Sequence, residues 1–266
     1  MLRNKSPQPP LKPEKPSSPF CATVSFAELA SANIVGYSTT SVAGGGLYCI
    51  GMQFSDVGAS EDVATISKLS ASGLTPSTWD AMETEAPCIM FYNGVGYDFF
   101  YYISDAFDAD GKEVTTWANA GGDEALETKK LGTGCWLRLP AGTATEGTVT
   151  SSGEVSDAAT STVAIENGLS LITNPYPMGF NPGAITTTGL TPSTWDNMET
   201  DAPCIMVYNG VGYDFYYYIS DAFDADGKEA TAWANAGGDA VNEAIAGVGE
   251  AFWVKTTSAG SFTFTK

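Results

Sequence analysis

Residues 73–123 read GLTPSTWDAMETEAPCIMFYNGVGYDFFYYISDAFDADGKEVTTWANAGGD, and residues 189–239 repeat them at an offset of 116. Only six of the 51 positions differ: 81, 85, 91, 100, 114 and 116 of the first copy. A period this long exceeds that of a solenoid repeat and fits duplicated domains. Looser matches run outward. Residues 46–50 align with 168–172, and GTGCWLRL from Gly132 aligns with GVGEAFWVK from Gly247 once a two-residue gap is allowed. The chain therefore divides into a segment 1–32, a first unit 33–155 and a second unit 156–266, each unit of ordinary domain size. A near-identical centre between divergent flanks has two explanations: functional constraint on the centre, or recent gene conversion that implies nothing about function.

Each unit reads as β-rich. Cys88-Ile89-Met90-Phe91-Tyr92 is a short apolar run of strand formers. Asn93-Gly94-Val95-Gly96 supplies turn chemistry, and Tyr97 to Ile103 returns as a second strand, so the pair is a hairpin. The second copy repeats this hairpin. Further strands are expected at 33–39, 46–54, 135–139 and 148–152, and at 168–173, 251–256 and 261–265. Thr75 to Asp80 suits a short helical turn, with Thr75 as cap and Pro76 in the first turn. Short strands, Gly-rich turns and no βαβ alternation predict an all-β chain: two tandem homologous antiparallel domains, sandwich-like or barrel-like, with short helical turns.

Composition narrows the chemistry. The 266 residues contain no histidine, which removes Ser-His-Asp and Cys-His catalysis and imidazole zinc sites. A formal charge of −19 argues against nucleic acid, whose affinity comes from Lys and Arg on phosphates. No apolar run is long enough to span a membrane as a helix. The charge is uneven. Residues 1–21 carry Arg3, Lys5, Lys12 and Lys15 against Glu14, a net of +3, together with six of the 14 prolines; the rest of the chain nets −22. Such a Pro-rich stretch is expected to be extended and disordered. Behind it, Phe20 to Ala32 follows the order of a degenerate secretory leader, with cleavage expected before Asn33.

GLSLITNPYPMG, from Gly168, resembles the "GWNLIGNPYP" element that opens β-sandwich modules in many large secreted bacterial proteins, and GEAFWVKTTSAGSFTF, from Gly249, is similar to their closing "GQGFWVKA" hairpin. NIVGY at Asn33 is similar to the mature start of small secreted proteins from related bacteria. The resemblance implies an extracellular β-sandwich and brings no catalytic residues. The first unit departs from it, with Gly51-Met52-Gln53-Phe54 where Asn-Pro-Tyr-Pro stands in the second.

Three constellations are candidate sites. Asp105, Asp108, Asp110 and Glu113 recur as Asp221, Asp224, Asp226 and Glu229. An Asp-rich loop with Gly can offer calcium its oxygens, but Ala106 and Trp117 fall where an EF-hand needs its first and twelfth ligands. The loop is a looser calcium site or a solvated acidic turn. Aromatics form the second: Phe100, Tyr102 and Trp117, with Tyr216, Tyr218 and Trp233, either pack in a core or stack on sugar rings. The third is cysteine. Cys88 and Cys204 are equivalent positions read as buried thiols, whereas Cys49 and Cys135 occur only in the first unit as a candidate private disulfide.

Taken together, these readings predict a secreted or cell-surface structural or adhesive protein, not an enzyme. Its partners would be other surface proteins, itself or glycans, and its one candidate cofactor is calcium. The alternative is a carbohydrate-binding module using exposed Trp and Tyr.

Overall fold

A computed structural model describes residues 34–59, 62–143 and 146–266. The Pro-rich segment, the leader-like stretch and Cys21 lie outside them. The described residues belong to one compact unit.

The chain is all-β with antiparallel sheets and short helical turns. In the first half, β1 (Val35–Val42), β2 (Leu47–Gly51), β3 (Val63–Thr65), β4 (Ser70–Ser72), α1 (Met82–Glu85), β5 (Cys88–Tyr92), β6 (Tyr97–Phe107), β7 (Glu113–Ala118), β8 (Thr128–Lys130), β9 (Gly134–Arg138) and β10 (Gly147–Glu154) follow in order. In the second come β11 (Thr160–Ile165), β12 (Gly168–Thr173), β13 (Thr186–Thr188), α2 (Met198–Asp201), β14 (Cys204–Tyr208), β15 (Tyr213–Phe223), β16 (Glu229–Ala234), β17 (Ala251–Thr256) and β18 (Gly260–Thr265). Each half builds a five-stranded sheet, ordered β2-β9-β5-β6-β7 and β12-β17-β14-β15-β16, and a three-stranded sheet, β1-β10-β4 and β11-β18-β13. The ribbon β3-β8 belongs to the first half alone.

Side-chain alternation decides what each sheet face meets. Ile89 and Phe91 of β5, Phe100 of β6 and Trp117 of β7 join Val42 of β1 and Val149 of β10 in one core, so the three-stranded sheet covers this face. In the second half, Ile205, Val207, Phe252 and Val254 meet Ile165, Phe262 and Phe264 in the same way. The opposite face is apolar as well, and is covered twice. At one end the turn through α1 lays Met82 and Ala86 over Cys88, Tyr101 and Ile103. At the other end the two halves cover each other: Cys49, Met90, Tyr92 and Trp136 pack with Leu171, Met206, Tyr208 and Trp253.

This contact between halves is reciprocal. Tyr92 meets Trp253 edge-on at 5.1 Å, and its counterpart Tyr208 meets Trp136 at 5.2 Å. Gly51 N–H donates to Gly249 O at 2.9 Å, and Thr173 N–H to Gly132 O at 2.9 Å. Residues equivalent in the two copies exchange roles, as in a two-fold dimer interface. On the pseudo-axis the cross-strand pair Gly51 and Gly134 faces the equivalent pair Thr173 and Ala251. A Cβ on Gly51 would lie 2.3 Å from the Thr173 side chain, and one on Gly134 would lie 2.7 Å from Ala251 Cβ. The expectation of two self-contained tandem domains is thus corrected. Each five-stranded sheet carries a second apolar face, and burying it joins four major sheets into one body.

The Gly51–Phe54 departure is also accounted for. Gln53 is fully buried and its Nε2 donates to Asn174 O at 3.0 Å and Tyr176 O at 2.8 Å. The first half therefore clamps the Asn-Pro-Tyr-Pro element of the second, in which Asn174 Oδ1 accepts from Tyr176 N and the Tyr176 hydroxyl donates to Ala158 O.

Candidate functional site

The near-identical segments carry the surface that the molecule shows twice. Part of it is a tryptophan outside the candidate rings named above. Trp79 and Trp195 open the short turns before α1 and α2, and each is 47% exposed. The local sequence dictates the placement. Thr-Pro-Ser-Thr enters extended, and the Trp79 backbone N–H donates to Asp105 Oδ1 at 2.8 Å, as Trp195 does to Asp221 Oδ1 at 2.8 Å. The ring then lies on the ANAGGD turn. Gly122 has φ +86°, and a Cβ there would sit 2.9 Å from Trp79 Cδ1; Gly238 repeats both values against Trp195. Only glycine meets both demands at that position. Trp79 Nε1 donates to Ala120 O at 3.3 Å. Asn119 stabilises the same turn, its Oδ1 accepting from Gly121 N and Asp123 N, and Asn235 does so in the second copy.

The acidic loop lies close by along the chain. Asp108 Oδ1 accepts from Asp110 N at 3.0 Å and Lys112 N at 2.9 Å, and Asp224 Oδ1 does the same with Asp226 and Lys228. Asp105 and Asp108 therefore spend carboxylate oxygens on backbone amides, while Glu113 and Glu229 begin the edge strands. Among the described residues no group of three His, Cys, Asp or Glu side chains is poised around a metal position.

The aromatic assignment is corrected by burial. Phe100 sits in the first core with Tyr102 packed against it, and Tyr216 and Tyr218 pack against the second. Trp117 is fully buried and donates Nε1–H to Leu69 O at 2.8 Å; Trp233 is buried and donates to Thr187 Oγ1 at 3.1 Å. The cause is parity. Phe100 and Tyr102 occupy the face under the three-stranded sheet, so the residues left outside are Phe99 and Phe215, stacked on Tyr101 and Tyr217.

The Cys49–Cys135 disulfide is likewise overturned: both are free and buried. They lie on paired strands, but Cys49 opposes Trp136 and Cys135 opposes Ile50, so their side chains leave opposite faces of the sheet. Burial pushes the Cys88 thiol up to about 12 and Cys204 up to about 11, and raises Cys49 and Cys135 as well.

Two related recesses flank the pseudo-axis. The hairpin end at Tyr92-Asn93-Gly94 overhangs β12 across a cleft of about 410 Å³, and Tyr208-Asn209-Gly210 overhangs β2 across one of about 520 Å³. The hairpin tips beyond them end in Val95 and Val211, both 97% exposed.

No family model, curated protein or solved structure matches this chain.

Proposed function

We propose that this chain is a secreted or cell-surface structural or adhesive protein that acts as a rigid two-faced connector. The observation that carries the reading is the display of the same exposed residues twice on a single compact body. Trp79 and Trp195, Val95 and Val211, and Phe99 and Phe215 are exposed to matching extents in the two halves. Val95 and Val211 are 97% exposed, so core packing does not explain their identity, and the reading takes functional constraint rather than gene conversion as its source. A body that presents two equal faces gains avidity wherever both can engage. The β-sandwich-like character of each half, a five-stranded sheet under a three-stranded one, suits extracellular modules of this kind.

A non-enzymatic role is part of the proposal. The chain has no histidine, and its described thiols are buried with raised pKa values, the reverse of an activated nucleophile.

Beads coated with the full chain should attach to cell surfaces or to one another. A variant altered in one copy alone, Trp195→Ala with Val211→Ser, should still attach and lose bridging. Absence of attachment to cells, matrix proteins or other copies would overturn the reading. Carbohydrate binding, the alternative, loses the six rings first assigned to it and would now have to use Trp79 and Trp195. A glycan array with the Trp79→Ala/Trp195→Ala variant as control decides that point.

A further inference from the structure

Four of the six tryptophans, Trp117, Trp136, Trp233 and Trp253, are buried in the cores or between the halves. Trp79 and Trp195 belong to none of the core clusters, yet each is anchored by specific contacts. Each has its backbone N–H on an aspartate and its ring edge on a glycine, and the Trp79 indole N–H is already bonded to Ala120 O. About half of each tryptophan, 47%, stays open to solvent. A ring held in this way loses little freedom on binding.

The segments that anchor each tryptophan carry aspartates. Asp80 follows Trp79 in the chain, Asp105 holds its backbone, and Asp123 follows the glycine under the ring; Asp196, Asp221 and Asp239 repeat the set. The ion pairs found among the described residues are Lys68–Asp56 and Lys129–Asp98, so none of these six carboxylates is paired with a lysine or arginine there. Phe107, 46% exposed, donates its N–H to Gly122 O and so brings a second exposed aromatic to the same turn.

We propose that Trp79 and Trp195 are the centres of two equivalent sites for lysine or arginine side chains of a partner protein. This rests on the connector reading and states what each face grips. An indole face attracts cations through its quadrupole, and flanking carboxylates strengthen that attraction while repelling anions. The aliphatic stem of a lysine or arginine has exposed aromatic surface to lie on. The −22 charge of residues 22–266 steers a basic partner toward both sites.

The test is titration of the full chain with decalysine, followed through the six indole N–H signals by NMR. Two signals should shift, and they should be the two missing in Trp79→Ala and Trp195→Ala. Each single variant should halve the stoichiometry, and Asp80→Asn with Asp196→Asn should weaken binding about three- to fivefold with both rings intact. Decalysine binding that leaves the indole signals still reports diffuse charge alone and overturns the inference. So does a shift of these signals by a neutral oligosaccharide, chitohexaose, but not by decalysine. Bridging of beads that persists in the double Trp variant also defeats the inference and leaves the connector reading standing. Decalysine bound at two tryptophans by a protein that bridges nothing does the reverse.

Discussion

Asp56 shows how one carboxylate ties a loop to the fold. Its Oδ1 accepts from Thr65 N, its Oδ2 from the Thr65 hydroxyl, and Lys68 Nζ lies 2.9 Å away. Burial alone would raise its pKa, but the Thr65 hydroxyl, the Lys68 ammonium and the Thr65 amide outweigh burial and hold it below the ordinary carboxylate value. A carboxyl lowered in the folded state contributes stability that is present above its unfolded pKa of about 3.9 and is lost as pH falls through the folded value. Asp56→Asn should therefore cost about 1 kcal/mol at pH 7 and remove part of the acid destabilisation below pH 4, read from urea midpoints against pH. The thiols give a second prediction at this scale. Burial keeps Cys49, Cys88, Cys135 and Cys204 protonated and shielded. Iodoacetamide on the native chain should leave all four unmodified by mass spectrometry, and after denaturation should modify them all. Native-state labelling of Cys49 would contradict its place between the halves.

Elements show where a sequence of this kind is legible. The run CIMFY has no polar position, and a strand apolar on both faces must be covered on both. That much follows from residues 88–92, and so does the hairpin that pairs Cys88 with Tyr101 and Tyr92 with Tyr97. Which residues of YDFFYYI stay outside does not follow, because both parities are aromatic. The choice is made by the divergent three-stranded sheet, which takes Phe100 and Tyr102. Trp79 carried a usable signal: the buried tryptophans lie within strands, whereas Trp79 and Trp195 sit in polar turn segments beside no alternating pattern. The strands 168–173 and 251–256 lie where sequence placed them, and the contact between halves was invisible because equivalent residues meet across an axis that no spacing encodes. The acidic loop yields the prediction for this scale. Asp108 Oδ1 closes the β6–β7 connection by accepting two amides. Asp108→Ala should lower stability by about 1 kcal/mol, with the same loss in calcium and in chelator. A loss that appears only with calcium present would restore a metal to the loop.

At the scale of the whole molecule, the pseudo-axis makes the duplication irreversible. Two identical halves would place identical residues against each other there, and the space admits one side chain of each facing pair. The first half supplies Gly51 and Gly134; the second supplies Thr173 and Ala251. Once this division existed, neither half could replace the other, even though their outer segments stayed nearly identical. Gly51→Thr should therefore overpack the axis and cost about 1–3 kcal/mol, while Thr173→Gly alone should open a gap and cost somewhat less. Thermal unfolding should remain a single transition in both variants, because the halves share the contact that is being disturbed. The decisive variant carries both changes, Gly51→Thr with Thr173→Gly. It moves the side chain across the axis without changing the volume to be packed, so its loss should fall short of the sum of the single losses by at least about 1 kcal/mol. The Thr173 hydroxyl's bond to Glu250 O is the part the exchange cannot restore, which sets the recovery below complete. Strict additivity in that cycle would mean the two positions do not share the space, and the reciprocal interface would have to be abandoned.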